Sequence, residues 1–515
     1  MNRLRFIWNG VRVWFAYPWY PLVLSVYPVL FLLSSNVGQV KPEAGWRSLV
    51  VCLGLVATFL VLSRSILRDW YRAAFLSMLF VVLFFSYGHT YIELVGQFKD
   101  FNPKYWMLAG WVILFTLSIW WVTRPNIKFV SFTGTLNLIS LGLVIWSLIH
   151  ISPEPGPGSG HATRVAAQNA PLQNLMRPQN PPDIYYFILD MYTREDLLKN
   201  VYGYDNSGFV NALEKRGFYV AQCSQSNYTR TEVSIPSSLN FSYLQDLDPK
   251  FNNPESIARM HLWDTLKHSA VRFQLESMGY KTISFANGFP WSDLDDADVF
   301  LTPSPFSSGV SEFETLFMET TLFRTFQDFG WLDLDQISGQ NFRDRDMLVF
   351  NSMKRVAKMQ GPKFVYVHLI LPHPPFVFGP DGEYTNPADF WNQQKLYPAD
   401  KFKLGYTNQM TFMNRKMLQV VDTIISESKT PPIIILQGDH GPWIQPNPQH
   451  FFILNAYYLP GHETELYPTI SPVNSFRLIF NDYFGGKYDM LKDKTYFSPV
   501  PKLYKFSEVS YPCSN

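Results

Sequence analysis

Five long apolar stretches precede His150, and they constrain the fold of this chain more than any other feature. Each is close to the roughly 20 residues that an α-helix needs to cross a bilayer. Only the third is interrupted by polar residues, at Tyr87-Gly88-His89. A soluble helical bundle rarely supplies five such runs in succession, so the sequence predicts a five-helix transmembrane domain over residues 1–150. The predicted spans are Tyr17–Ser35, Trp46–Leu62, Ala73–Leu94, Tyr105–Val122 and Phe129–Ile149.

Basic residues between these stretches predict the orientation of the helices. The side richer in Lys and Arg is expected to be cytoplasmic. The richer side carries Arg3, Arg5, Arg12, Arg64, Arg68, Arg72, Arg124 and Lys128, against Lys41, Arg47, Lys99 and Lys104 on the other. The N-terminus is then inside, and an odd number of spans places everything after His150 outside. The first stretch lacks a small-residue cleavage site, so we interpret it as a retained anchor of a multi-pass protein of the cell (inner) membrane.

The remainder of the chain divides into a linker and a large α/β domain. Residues 151–182 are rich in Pro, Gly, Asn and Gln, a composition typical of a linker or a strap on the membrane surface. Strand-like runs then alternate with helical patterns over residues 183–515, which predicts a mostly parallel sheet with helices on both faces. These runs are Ile184–Leu189, Phe218–Ala221, Lys281–Phe285, Phe364–Leu369, Ile433–Leu436 and Ile453–Leu459. The net charge of +1 gives no reason to expect a nucleic-acid partner.

The chain contains three cysteines, and their positions limit both disulfides and metal ligands. Cys52 lies within the second apolar stretch, so Cys223 and Cys513 are the one pair that could form a disulfide in an oxidising compartment. The sequence leaves open whether they meet. Because the chain has no zinc-type cysteine pairing, a metal would have to use carboxylate, imidazole and hydroxyl ligands.

Polar residues capable of binding metal or phosphate follow three of the predicted strands. Asp190 comes directly after the first, His368 and His373 lie at the end of another, and Asp439-His440 follow PPIIILQG. Each motif alone is most often a turn or loop. Parallel strands, however, bring their carboxyl ends to one edge of a sheet, where ligands bind. Asp190, Asp439 and His440 are therefore expected to hold one divalent ion and to leave a coordination position open, as in a catalytic site.

A nucleophile for that open position is expected in the hydroxyl-rich stretch Ser224–Leu244. Such stretches usually cap helices. The sequence Thr231-Glu232-Val233-Ser234-Ile235-Pro236 nevertheless predicts Thr231 at a helix N-terminus, where the helix dipole and backbone amides favour an anion. A hydroxyl bound to a divalent ion there loses its proton near neutral pH.

Taken in order, these motifs resemble the alkaline phosphatase superfamily, in particular its membrane-anchored branch of phosphoethanolamine transferases, lipoteichoic acid synthases and sulfatase-like proteins. The resemblance implies a doubly wound α/β domain, with zinc or manganese on Asp190, Thr231, Asp439 and His440. It implies that Thr231 is the nucleophile, because Ser234 occupies the place of a serine three positions after it in that family. A formylglycine sulfatase is disfavoured, since Val233 and Ile235 stand where that class carries Pro and Arg.

The same resemblance assigns the substrate-binding histidines. The stretch from His368 to Pro374 matches the family's His-x4-His-x-Pro pattern, and both its histidines are expected to bind substrate. His450 is a candidate for a further substrate-binding histidine, although its spacing from Asp439-His440 differs from the family pattern. The residues that follow, GPWIQPNPQHFF, also depart from the Glu-rich turn of phosphoethanolamine transferases, which leaves the head group open.

The sequence thus predicts a metal-dependent phosphoryl-type transferase, which moves a phospholipid head-group phosphate unit to a surface lipid or glycan through phosphothreonine at Thr231. Two alternatives remain at this point. The same site with water as acceptor would be a sulfatase-like hydrolase of phosphate or sulfate esters. A catalytically silent protein that binds glycan or serves as a scaffold is the alternative of another class.

Overall fold

A computed structural model describes most of the chain, and its residues form two compact units. The described residues are 16–36, 40, 42–98, 102–151, 170–256, 259–303, 310–390, 396–442, 449–462, 465–500, 502–511 and 513. Unit 1 comprises Met1–Pro155, Ser308–Ser338 and Gln393–Leu396. Unit 2 comprises Gly156–Ser307, Gly339–Asn392 and Tyr397–Asn515.

The helices are numbered in chain order. They are α1 (Tyr20–Ser35), α2 (Trp46–Leu67), α3 (Trp70–Gln97), α4 (Lys104–Val122), α5 (Thr133–Ile151), α6 (Glu195–Leu197), α7 (Ser207–Glu214), α8 (Thr231–Leu239), α9 (Leu244–Leu247), α10 (Met260–Lys267), α11 (Ala270–Ser277), α12 (Glu312–Glu319), α13 (Arg324–Asp328), α14 (Leu334–Ala357), α15 (Ala399–Glu427) and α16 (Pro472–Phe484).

The strands are β1 (Ile184–Leu189), β2 (Tyr219–Val220), β3 (Lys281–Phe285), β4 (Val299–Leu301), β5 (Lys363–Leu369), β6 (Ile433–Gly438), β7 (Asn455–Tyr458), β8 (Thr495–Phe497) and β9 (Ser507–Val509). Each strand-like run of the sequence corresponds to one of β1, β2, β3, β5, β6 and β7. The pattern did not predict the short strands β4, β8 and β9.

Unit 1 contains a helix at each of the five predicted spans. Four helical stretches are long and apolar enough to cross a membrane: Pro42–Leu67, Trp70–Gln97, Lys104–Val122 and Phe129–Ile151. The helix at the first predicted span, α1, has 16 residues and is shorter than the sequence suggested. Five membrane crossings therefore stay a prediction.

Unit 1 also includes residues 310–331, which the sequence analysis assigned to the domain 183–515. This segment follows β4 in the chain, but its helices α12 and α13 pack with the helices of unit 1. Its apolar residues are not recognisable as a separate membrane element from hydropathy, because the segment is too short and too polar. The difference comes from tertiary packing.

Unit 2 is built around a seven-stranded sheet in the order β2-β7-β6-β1-β5-β3-β4. Strands β6, β1, β5, β3 and β4 pair in parallel, and β7 runs antiparallel to its neighbours β6 and β2. Alternate residues of β1 belong to two separate apolar clusters, with Tyr186 in one and Tyr185 in the other. Both faces of the sheet are therefore covered, as the continuous apolar composition of β1 requires.

The structure decides two points that the sequence left open: where the predicted linker lies and whether Cys223 meets Cys513. Residues 152–169 of the predicted linker lie outside the described residues, but residues 170–182 pack on unit 2. The backbone N–H of Met176, for example, donates to Phe484 O at 2.8 Å. Near the other end, Cys223 and Cys513 form a disulfide between positions 290 residues apart.

Candidate active site

The register of the central strands places the two predicted carboxylates side by side. Leu189, the last residue of β1, pairs with Gly438, the last residue of β6. Asp190 and Asp439 are the next residues on these neighbouring strands, so both leave the sheet at the same edge. Both are buried, with 5% and 0% of their surface exposed. Parallel pairing alone thus explains how two residues far apart in sequence meet.

The turn after β1 depends on a glycine in β6. A side chain at position 438 would place its Cβ 2.2 Å from Tyr192 O, so only glycine lets the two loops approach this closely. Met191 adopts a positive φ of 66°, an uncommon conformation for a non-glycine residue. The N–H of Met191 donates to Asp439 Oδ1 at 3.1 Å. Asp439 therefore also holds the turn that carries Asp190.

Thr231 is the first residue of α8, and its hydroxyl faces the imidazole of His440. Thr231 Oγ1 and His440 Nε2 are 3.2 Å apart. Arg230 precedes the helix in an extended conformation and provides no side-chain cap. The first amides of α8 and the positive end of its dipole therefore favour an anion beside Thr231. Ser234, one turn along, donates its hydroxyl to Asp439 O at 2.8 Å and ties α8 to the loop after β6.

Asp190, Asp439 and His440 direct lone pairs toward one point, as the ligands of a metal ion do. His440 Nδ1 lies 2.9 Å from Gly441 O, so Nδ1 carries the proton and Nε2 presents a lone pair. That Nε2 is 3.6 Å from Asp190 Oδ1 and 3.6 Å from Asp439 Oδ2. Both oxygens are buried without a hydrogen-bond partner among the described residues. One ligand atom from each residue lies within 4.8 Å of the others, so the residues present fit a divalent cation.

The charges of the two aspartates differ because their surroundings differ. Burial favours the neutral form of Asp190, but His373, His368 and His440 together outweigh it and lower the pKa of Asp190 to about 2. Burial and the nearby Asp190 charge raise the pKa of Asp439. A cation bound between the two carboxylates would offset both the cost of burying their charges and the repulsion between them.

His368 lies within β5 rather than after it, and its ring is oriented by a residue that the sequence analysis missed. Asn287 Oδ1 accepts a hydrogen bond from Phe289 N at 2.8 Å, which fixes its amide and directs Nδ2 to His368 Nδ1 at 3.1 Å. The imidazole proton is then on Nε2, which faces Asp190 Oδ2 at 3.4 Å. Burial lowers the pKa of His368, but its interaction with Asp190 outweighs burial and raises it. His368 is thus a hydrogen-bond donor toward the site.

The sequence contained a usable signal for Asn287. It stands two residues beyond the end of β3, at the same edge of the sheet as Asp190 and Asp439. The strand-end criterion that selected those aspartates would have selected Asn287 too, had it been applied to amide side chains.

Of the two remaining predicted histidines, His373 occupies a loop and His450 lies in the short 3₁₀ helix Gln449–Phe451. His373 influences the charge of Asp190, and its backbone carbonyl is held by Gln409 Nε2 at 2.9 Å. The structure therefore brings His373 near the aspartates without a direct bond to them among the described contacts. The His450 carbonyl accepts a hydrogen bond from Gly441 N at 2.7 Å, so the backbone of His450 supports the loop after His440.

Comparison with known proteins gives structural likenesses only. No protein-family model matches this chain, and no curated protein matches it significantly. The C-terminal periplasmic domain of EptC from Escherichia coli, in complex with Zn, is 12% identical; the match covers 66% of this chain and 96% of that domain, with a TM-score of 0.44. The integral membrane protein lipooligosaccharide phosphoethanolamine transferase A from Neisseria meningitidis is 12% identical over 86% of this chain and 88% of its own, with a TM-score of 0.34.

The lipoteichoic acid synthase LtaP from Listeria monocytogenes is 11% identical over 61% of this chain and 75% of its own, with a TM-score of 0.33. Phosphoethanolamine transferases and lipoteichoic acid synthases are the classes of protein that the sequence motifs resemble.

Proposed function

We propose that this chain is a metal-dependent phosphoryl-type transferase with Thr231 as its nucleophile. One observation supports this most strongly: the Thr231 hydroxyl, the lone pair of His440 and two buried carboxylate oxygens converge at the start of α8, and those oxygens accept no hydrogen bond from any described residue. Asp190, Asp439 and His440 would hold a zinc or manganese ion, with Thr231 as a further ligand. When bound, the ion supplies charge stabilisation for the transferred group and favours the ionised hydroxyl.

The donor in this proposal is a phospholipid whose head-group phosphate reaches the N-terminus of α8. Thr231 Oγ, ionised by loss of its proton to solvent, attacks phosphorus; the bond from Oγ to phosphorus forms, and the bond from phosphorus to the lipid oxygen breaks. The amides of α8 bind the non-bridging oxygens. The leaving oxygen takes a proton from a histidine at the site, for which the Nε2–H of His368 and the imidazole of His373 are the candidates.

The second step regenerates the enzyme. A hydroxyl of a surface glycan or lipid attacks the phosphothreonine and gives its proton to the histidine that protonated the leaving oxygen. The bond from the acceptor oxygen to phosphorus forms, the bond from Thr231 Oγ to phosphorus breaks, and Oγ is left ionised for the next turnover. The apolar helices of unit 1 support a donor drawn from the membrane. We therefore also propose a cell-membrane location with an extracytoplasmic unit 2, where the disulfide between Cys223 and Cys513 is stable.

A covalent trap tests the proposal. Full-length protein is incubated with labelled phosphatidylethanolamine or phosphatidylglycerol without acceptor, quenched, and analysed by mass spectrometry. We expect a phospho-group on the peptide that contains Thr231, no adduct in Thr231→Ala, and a partial yield in Thr231→Ser, which keeps the oxygen. An adduct at Ser234 would move the nucleophile. Release of phosphate product to water alone would identify a hydrolase, and no reaction in any preparation would favour a silent binding protein.

Metal content tests the ligand assignment separately. Asp439→Asn and His440→Ala should each lose bound zinc or manganese, because each removes one of three ligands, whereas Thr231→Ala should retain it. Wild-type metal content in the first two variants would refute the metal site.

A further inference from the structure

The segment 310–331 lies far from the membrane helices in sequence but packs among them. It follows β4, yet its helix α12 places Phe313 and Phe317 in one apolar cluster with residues of α1 and α3. Phe85 of α3 contacts the Phe317 ring at 5.8 Å, and Phe84 meets Phe323 edge-on at 5.3 Å. The inner face of the segment is thus apolar and packs against helices of unit 1.

The polar interruption of the third apolar stretch provides the seat for this segment. A Cβ at Gly88 would lie 2.1 Å from Glu319 O, so the backbone of the segment rests directly on α3 where the side chain is missing. The N–H of Leu322 donates to Phe84 O at 2.8 Å, which joins the segment to the backbone of α3. Tyr87-Gly88-His89 is therefore a docking position within a long apolar helix.

Three further contacts of the segment lie at one end of the helices. Arg47, at the start of α2, forms a 3.0 Å ion pair with Glu314. Lys104, at the start of α4, lies 3.5 Å from Asp328 O and over the Phe329 ring. Ile151, at the end of α5, packs against the same apolar cluster as α12. By the loop-charge pattern, these are the extracytoplasmic ends.

The outer face of the segment carries large exposed apolar side chains at that level. Trp331 is 74% exposed and contacts the Phe326 ring, itself 39% exposed, at 5.5 Å. Tyr105 at the start of α4 contacts Phe329, and the adjacent Trp106 is 74% exposed. Tryptophan and tyrosine concentrate where a bilayer meets water, because their rings are apolar and their polar atoms remain hydrated.

We propose that the segment 310–331 is a membrane-interface element whose outer face, led by Trp331, lies among the phospholipid head groups of the outer leaflet. The bilayer is favoured as occupant because Tyr105, which contacts Phe329 of this face, and the exposed Trp106 belong to α4, a helix long and apolar enough to cross a membrane. Exposed apolar side chains of α4 such as Ile113, which is 59% exposed, need a lipid cover. Lys104 supplies a cation at the same level for lipid phosphates. The inference does not depend on the proposed transferase activity.

Site-directed spin labelling of the full-length protein tests this. A nitroxide is attached at Trp331→Cys in a Cys52→Ala background, in nanodiscs of phosphatidylethanolamine and phosphatidylglycerol. The matched control is Phe273→Cys on α11 of unit 2, where the native side chain is 46% exposed. Collisions with oxygen, which enters lipid, and with a water-soluble nickel chelate, which does not, are compared. We expect the oxygen-to-nickel ratio to be severalfold higher at 331 than at 273.

Equal ratios at the two positions would overturn the proposal. The nitroxide at 331 could instead be protected from the nickel chelate only in nanodiscs that hold two copies of the protein, with magnetic coupling between the two labels. That result would assign the surface to a second copy and would also overturn the proposal.

A second pair of variants tests the docking position at Gly88. Gly88→Ala should lower the ratio at 331 toward that at 273, whereas Gly96→Ala on the same helix should not, since a Cβ there meets nothing within 4 Å. An unchanged ratio in Gly88→Ala would refute the docking position.

Discussion

Replacing Asn287 with alanine should impair turnover without removing any predicted ligand or nucleophile. Asn287 and His368 are 3% and 4% exposed, so water cannot readily replace the lost hydrogen bond. The variant leaves His368 Nδ1 without its donor and frees the proton to move from Nε2, which then no longer donates toward the site. In the proposed transition state that N–H donates to a charged oxygen, and such a hydrogen bond is worth about 1.5–3 kcal/mol. Since about 1.36 kcal/mol is tenfold in rate, kcat/KM should fall by about 10- to 150-fold.

The assay compares kcat/KM for donor turnover with thermal unfolding of the same preparation. The control is Asn474→Ala, which removes an equally buried amide whose Nδ2 donates to Leu491 O at 2.8 Å on the α16 side of unit 2. Both variants should lower the unfolding temperature, but only Asn287→Ala should lower kcat/KM. Imidazole ¹⁵N shifts should report loss of the Nε2–H form of His368. Wild-type kcat/KM in Asn287→Ala would refute the orienting role.

Three further predictions concern stability. Ser234→Ala should destabilise unit 2 by about 1–3 kcal/mol in thermal unfolding, because Asp439 O loses the hydroxyl that donates to it at 2.8 Å. The variant should retain much of the turnover that Thr231→Ala abolishes. A loss of turnover as complete as in Thr231→Ala would contradict this prediction. Hydrogen bonds to Asp264 and Asp296 raise the pKa of His268 from 6.5 to about 9. Protonated His268 should therefore stabilise the fold below pH 6.5, by less than the full pKa shift would give because solvent screens these partly exposed ion pairs, and this stability should be lost as pH rises through about 9. Unfolding of wild type and His268→Gln should differ at low pH and converge above that range; a difference independent of pH would refute the linkage. Cys223→Ser removes a disulfide between positions 290 residues apart and should lower the free energy of unfolding by up to about 5 kcal/mol. Reduction of the wild-type protein should have the same effect. Unchanged stability in both experiments would show that the disulfide does not form.

The sequence by itself determined the elements whose signal is local. Continuous apolar runs predicted the helices α1 to α5 and the central strands, because a strand buried on both faces, or a helix that crosses a membrane, requires apolar residues throughout. The same logic selected Asp190, Asp439 and His440, since residues after parallel strands share an edge. The local sequence predicted a helix N-terminus at Thr231, and the helix α8 does begin at that residue; the choice of Thr231 over Ser234 came from the family resemblance.

Tertiary structure decided what depends on residues distant in the chain. The β1–β6 register, not either strand's sequence, sets Asp190 beside Asp439, and a shift by one residue would turn their side chains to opposite faces. The bond from Asn287 to His368 and the meeting of Cys223 with Cys513 require the folded chain to bring separate segments together. Residues 310–331 pack in unit 1 because Gly88, which has no side chain, leaves room for their backbone. Hydropathy shows that α3 is apolar, but it does not show that another segment fits against the helix at this glycine.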